Sequence, residues 1–331
     1  MGVSLLEAMR TAVKDDQSIS QLSKQTYMDH LSILNNLVAG DMTSIFSDPP
    51  SFFVKLKDRY SSHVTRKQVL ASLRAITGRV PAVREKYPTA LPQIRDFMVK
   101  DEEESGTLMR ILNGELSERE KQNWLPWREV VAVQRRAAAE RPGEMDTLVI
   151  SLYVLMEPLR QDFGNLQFVY SEDEAAGLPE GQGYIQLSKT DRAFGLLMLK
   201  QYKTVKKYGA FRRMLPPDLV REIWASLDKH PRSHLLGPYE RSHKNSYIQF
   251  TNRILRRLFG GRRVTVNTLR HSFISNLDFN TKTPGELFRT SKMMAHGISM
   301  QQMYRRLPKD DDFAPFESTL EHTSTGRDLA S

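Results

Sequence analysis

Between Met145 and Met156 the chain reads MDTLVISLYVLM, twelve residues with Asp146 as the single charge. The run is shorter than the roughly 18–20 apolar residues of a membrane helix, and too uniformly apolar for a helix with one wet face. It predicts a helix buried on all sides, around which the C-terminal part of the chain must pack. Pro158 ends the pattern, because proline removes a backbone donor and clashes with the preceding turn. NLQFVY then reads as a strand, followed by GYIQLSK, GLLMLKQYKT and AFRRMLP, with VKKYG as the turn before the last.

Helical patterns flank these strands. NWLPWREVVAVQRRAAAE precedes the buried run, with Pro126 suited to a first turn. After Pro217 come PDLVREIWASLDK, YIQFTNRILRRLFG, NTLRHSFISNL and MAHGISMQQMYRRLP. Helices, a small antiparallel sheet and more helices make an α+β class, mainly α, without βαβ alternation.

The first third is helical. SKQTYMDHLSILNNLVAG places Tyr27, Leu31, Leu34 and Val38 on one face, with Ser23 as N-cap and Gly40 as the stop. VTRKQVLASLRAITG repeats the scheme, with Thr65 ahead of Val69, Leu70, Leu73 and Ile76. Lys24, Arg66, Lys67 and Arg74 fall on the polar faces, where they can meet phosphates or simply solvent. The charged stretch KDEEESG and the following LNGELSEREKQNW read as a link, giving domains 1–118 and 119–331, with a tail over about 309–331.

With 331 residues, 40% hydrophobic and 26% charged, the chain has the composition of a soluble globular protein. It has no cysteine, which excludes disulfides, thiolate catalysis and cysteine–zinc sites. The N-terminus shows no basic segment followed by an apolar one, and Leu6 occupies the place where a myristoylation motif needs Ser or Thr. The expectation is an intracellular, soluble protein with no membrane partner. A net charge of +9 favours polyanions, although many basic proteins have no such partner.

P-loop, dinucleotide, zincin and nucleophile-elbow motifs are absent. His230, His234 and His243 lie in KHPRSHLLGPYERSH, a loop-like stretch without matching carboxylates, and read as a basic loop rather than a metal site. Arg160 follows directly on the buried helix. Arg270 and His271 lie on a helix with an apolar face, and His296 precedes Tyr304 by about two helical turns. Singly, each has an ordinary structural explanation: a salt-bridged arginine, a packed histidine, a tyrosine in the core.

Their order carries more. Arg160 in EPLRQDFGNLQF, Lys203 in LKQYKT, the box NTLRHSF, MAHG and then Tyr304 resemble the tyrosine recombinase (phage-integrase) family over most of residues 119–308. TRKQVLASLRAI is similar to part of that family's helical, SAM-like core-binding domain. The resemblance implies a core-binding domain joined to a catalytic domain, clamping double-stranded DNA. It implies site-specific recombination or integration through a 3′-phosphotyrosyl intermediate, without metal, ATP or any cofactor. It also implies a homo-oligomer, a dimer on each site and a tetramer in synapsis, DNA-associated inside the cell.

The same resemblance assigns roles. Arg160 and Arg270 would hold the phosphate oxygens with planar, bidentate donors. Tyr304 would attack phosphorus, Lys203 would protonate the leaving 5′ oxygen, and His296 would donate to a phosphate oxygen. Asn267 stands where the H-x-x-R box most often has His, and an amide cannot serve as a base at neutral pH. That departure keeps open a catalytically weak or inactive DNA-binding protein on the same scaffold, and a type IB topoisomerase is a further alternative. Lys189 in QLSKT rivals Lys203. Lys206, Lys207, Arg212 and Arg213 would border the DNA or form a solvated hairpin. Phe313, Phe316 and Leu320 are candidate anchors of a tail passed to a neighbour, with a disordered acidic tail as the alternative.

Overall fold

The helix Met145–Val154 is buried along its whole inner length, from Asp146 to Tyr153. Its one charge is held by Arg257, whose Nε donates to Asp146 Oδ2 at 2.9 Å, and by Arg141 at 3.4 Å. A buried carboxylate costs several kcal/mol unless it is paired in this way. The helices Trp127–Glu140, Pro217–Lys229 and Lys244–Leu258 pack around it. The computed structural model describes residues 4–160, 162–236 and 244–307, the side chains of 244–246 excepted. His243, Phe313, Phe316 and Leu320 lie outside the described residues.

Four strands form the sheet, β1 (Gln167–Val169), β2 (Tyr184–Leu187), β3 (Gly195–Leu199) and β4 (Phe211–Met214), in that spatial order. All four match segments read as strands from sequence, but the sheet is mixed where a purely antiparallel one was expected. β2–β3 and β3–β4 are antiparallel, whereas β1 runs parallel to β2. The reason lies in the connection 170–183, which carries the short helix Glu172–Ala176. A crossover of a dozen or more residues returns the chain in the same direction, which a tight hairpin cannot do. VKKYG, read as a turn, forms the short helix Val205–Tyr208, closed by Gly209 at φ 69°.

The chain divides into two compact units between Met109 and Arg110. The first has its own core, in which Leu31, Leu34, Leu56, Val69, Leu70, Leu73, Ile76 and Ile94 are fully buried. Two N-caps differ from expectation. Ser20, not Ser23, opens the helix Gln21–Leu37, its Oγ accepting the Ser23 N–H at 3.2 Å. Ser62, not Thr65, opens His63–Thr77.

The acidic stretch read as a link is instead the end of the helix Ala90–Ser105, which Gly106 stops at φ 61°. Its carboxylates find cations on neighbouring helices: Lys57 meets Glu104 at 2.8 Å and Lys67 meets Glu102 at 2.6 Å. Arg66 is not on a wet face. It is 8% exposed and holds Asp101 through two hydrogen bonds, of 3.0 and 2.7 Å, while also donating to the Ser61 carbonyl. Pairing fixes these cations within the fold, which periodicity along one helix cannot report.

Candidate active site around Tyr304

The helix Val266–Ser275 opens with a capping box in which Thr265 and Thr268 satisfy each other's backbone donors. Val266, Leu269, Arg270 and Ile274 recur at helical spacing and face the interior. Arg270 thus occupies a position of the apolar stripe and is fully buried at 0% exposure. Asn267 lies off the stripe and is exposed. A buried guanidinium needs acceptors. Arg270 Nη1 donates to the carbonyls of Pro158 and Met294, and Nη2 donates to His296 Nδ1 at 3.0 Å.

His296 and Tyr304 are not on one continuous helix. The helix Pro284–Met293 ends, Ala295 takes a left-handed φ of 52°, and a new helix, Ile298–Tyr304, starts after Gly297. The left-handed residue is the unusual element, since a side chain there is strained unless the surroundings enforce it. What enforces it is the Ala295 carbonyl, which accepts from Arg160 Nη1 at 2.9 Å and from Thr204 Oγ1 at 3.1 Å. The turn brings the His296 ring within 5.8 Å of the Tyr304 ring, centroid to centroid. The Arg270 guanidinium carbon stands 5.3 Å from the same tyrosine ring.

The final helix is pinned at its end. His271 Nδ1 bonds the Tyr304 carbonyl at 2.8 Å, and the Arg306 N–H donates to Ser275 Oγ at 2.8 Å. The Arg306 guanidinium, 4% exposed overall, reaches Glu120 at 3.0 and 3.1 Å. The Leu307 N–H donates to the Gly114 carbonyl at 2.7 Å. Gly114, at φ 72°, suits this contact, because a side chain there would be strained by the backbone and its Cβ would press on Leu307 Cγ at 3.1 Å.

Electrostatics follow from this packing. Burial, then the positive charges of Arg270 and Arg160, push His296 down to about 3. Burial, then Arg306, push His271 down to about 4. Both imidazoles are therefore neutral at pH 7. Burial also lowers Arg270 from the usual arginine range, an effect that the Tyr304 phenol opposes. Glu120 goes the other way from a buried acid: desolvation would raise it, but hydrogen bonds from Ser117 and the charge of Arg306 hold it at about 2.

No family model matches the chain. No curated protein sequence matches it either. Among solved structures, the crystal structure of XerA recombinase overlaps 93% of this chain and 94% of its own, at 12% identity and a TM-score of 0.38. That likeness is distant.

Of the residues singled out from sequence, Arg160, Arg270, His296 and Tyr304 are linked by the bonds and ring contacts above. Asn267 lines one cavity with Arg160 and a second with His271. Lys203 is exposed in the β3–β4 connection, and its neighbour Thr204 ties that connection to the cluster through Ala295. Lys189 lies in the β2–β3 connection with its ammonium 4.6 Å from the Tyr170 ring centroid. Arg213 turns from the expected DNA border to pair with Glu157. Arg212 and Lys292 line a cavity with His296. Among the described residues no cluster of histidines and carboxylates suited to a metal is present.

His271 stands beside Arg270 in the sequence, where no role falls to it, yet the structure puts it against Tyr304. Its ring centroid is 4.4 Å from that of Tyr304, inclined by 31°. Its place one residue after Arg270, at the edge of the stripe, was the available signal. The arrangement can do one thing well: Arg270 Nε and His296 Nε2 are buried donors without a protein acceptor among the described residues, beside a half-buried tyrosine. An anion with several oxygens is the species that such donors accommodate.

Proposed function

We propose that the protein cleaves and rejoins DNA strands through a covalent phosphotyrosine on Tyr304, as a site-specific recombinase or integrase. The observation that carries this reading is the pair of unsatisfied buried donors, Arg270 Nε and His296 Nε2, next to the tyrosine ring. Buried donors without acceptors cost free energy, and a phosphodiester oxygen would repay it where the transition state gathers charge. Arg160, half-buried and lining a cavity with Asn267, adds a second guanidinium for the other oxygens. The net charge of +9 suits a polyanionic substrate.

In this reading the phosphate lies against Arg160, Arg270 and His296. The Tyr304 oxygen forms a bond to phosphorus as the bond to the 5′ oxygen breaks, and Lys203 supplies that oxygen with a proton. The energy of the phosphodiester is kept in the phosphotyrosine, so rejoining needs no nucleotide. Residues 1–109 would act as the helical DNA-binding unit, and copies of the chain would pair on each site and assemble in synapsis.

The test is a duplex nicked beside the scissile phosphate, so that cleavage releases a short fragment and traps the adduct. The duplex is taken from DNA flanking the protein's own gene. A covalent protein–DNA species that vanishes in Tyr304→Phe is expected. Retained, saturable DNA binding without any adduct would favour a DNA-binding protein lacking catalysis, the reading that Asn267 in the H-x-x-R box motivates.

A further inference from the structure

We propose that His271 takes the proton from the Tyr304 hydroxyl when the tyrosine attacks, filling the role left open by Asn267; this rests on the phosphotyrosine reading above. The argument is one of donor and acceptor assignment. Arginine is only a donor, so the bond from Arg270 Nη2 makes His296 Nδ1 an acceptor. A neutral imidazole has one N–H, and in His296 it must then be on Nε2. His296 can donate to an anion but has no lone pair left for a proton. Asn267 carries no basic atom, and Arg160 and Arg270 are cations.

His271 has the opposite tautomer. Its Nδ1 bonds a backbone carbonyl, Tyr304 O, at 2.8 Å, and a carbonyl only accepts. The N–H is therefore on Nδ1 and the lone pair on Nε2, which no hydrogen bond engages among the described residues. The ring lies against the tyrosine it would serve, at 4.4 Å between centroids. It also lines a cavity of about 200 Å³ with Asn267 and Thr268, large enough to hold water beside the imidazole.

The groups facing His271 are Arg270 on its own helix, Tyr304 and Arg306 from the final segment, and Glu120, with Arg119 and Arg263 around the same cavity. Burial and Arg306 make free His271 a weak base at about 4. A phosphate bound against Arg160 and Arg270 would neutralise part of this positive field and raise the basicity of His271 on complex formation. The step balances: the phenol proton moves to His271 Nε2, the phenolate oxygen bonds phosphorus, and the P–O5′ bond breaks. The 5′ oxygen receives its proton from Lys203. Rejoining returns each proton.

The test is adduct formation on the nicked duplex across pH 5–10. With His271 as acceptor, the wild-type rate should level off above about pH 7, well below the ordinary tyrosine pKa of ~10. His271→Asn keeps an N–H for the Tyr304 carbonyl but loses the lone pair. It should slow adduct formation by about a hundredfold at pH 7 and recover as pH approaches 10. Restoring an imidazole in Asn267→His/His271→Asn should return much of the rate at pH 7. A wild-type rate that climbs steadily to pH 10 would overturn the assignment, and this outcome needs no variant to fold. So would His271→Asn at the wild-type rate, or a slow variant that neither pH nor the second imidazole rescues, since that is the behaviour of a purely positioning residue. Absence of adduct from the wild type at every pH sinks the phosphotyrosine reading itself, and His271 as base with it.

Discussion

Arg270 Nη2 donates to His296 Nδ1 across 3.0 Å, in a site where the arginine is fully buried and the histidine 1% exposed. That one bond decides which imidazole nitrogen bears the proton, and so turns His296 into a donor aimed away from Arg270. The same guanidinium holds the Pro158 and Met294 carbonyls, so the residue proposed to bind the phosphate also ties three segments of the fold together.

Arg270→Ala should therefore do two separable things. It should abolish adduct formation while most DNA affinity survives, because many backbone contacts share the binding. It should also lower stability by about 1–3 kcal/mol for each buried carbonyl left without a donor. Adduct trapping, binding at fixed salt and urea unfolding check the three parts. Cleavage near the wild-type rate would remove Arg270 from the site.

Lys203 and Lys189 can be told apart by the leaving group. If Lys203 protonates the 5′ oxygen, Lys203→Ala should slow cleavage by about 10²–10⁴-fold. A substrate with sulfur in place of that bridging oxygen should be cleaved almost normally, since a thiolate leaves without a proton. Lys189→Ala, which loses a contact with the Tyr170 ring, should behave as wild type on both substrates. The reverse pattern would assign the role to Lys189.

Acid should destabilise the fold in two steps. His296 and His271 are depressed from 6.5 to about 3 and about 4, so between those values and 6.5 the unfolded chain binds the extra protons. Stability from them is present above pH 6.5 and is lost as pH falls through the folded values. Glu120, lowered from 4.5 to about 2, adds stability above pH 4.5 that is lost as pH falls towards 2. Urea midpoints should decline from pH 6.5 downward. His296→Gln should flatten the upper part of that decline, and the deficit of Glu120→Gln should shrink between pH 4.5 and 2. A flat profile from 6.5 to 4.5 would contradict neutral, buried imidazoles.

Arg66→Ala in the first unit should cost about 3 kcal/mol, because it leaves the buried Asp101 without its hydrogen-bonded partner and with only Lys57, at 4.0 Å, to offset its charge. Replacing both, as Arg66→Met with Asp101→Leu, should recover much of this in thermal unfolding. DNA affinity should hardly change when the fold is intact, unlike the loss expected for a phosphate contact.

Much of the architecture was legible along the chain. The apolar run 145–156, the helix stripe of Val266, Leu269 and Ile274, and the four strands are local patterns, and local periodicity reports them directly. The order Arg160, Lys203, Arg270, His296, Tyr304 is also a property of the sequence alone. The sign of β1's pairing was less legible, since it depends on whether the 170–183 connection turns back or crosses over.

What only the tertiary structure decided is which donor meets which acceptor. Arg66 faces inward to Asp101, Arg213 turns to Glu157, and the Ala295 carbonyl gathers Arg160 and Thr204. His271 lies against Tyr304, and its tautomer is opposite to that of His296. These partners come from segments far apart in the chain. Spacing records the period of one element, whereas a hydrogen bond between elements is fixed only when packing brings their buried polar groups together and leaves each no other partner.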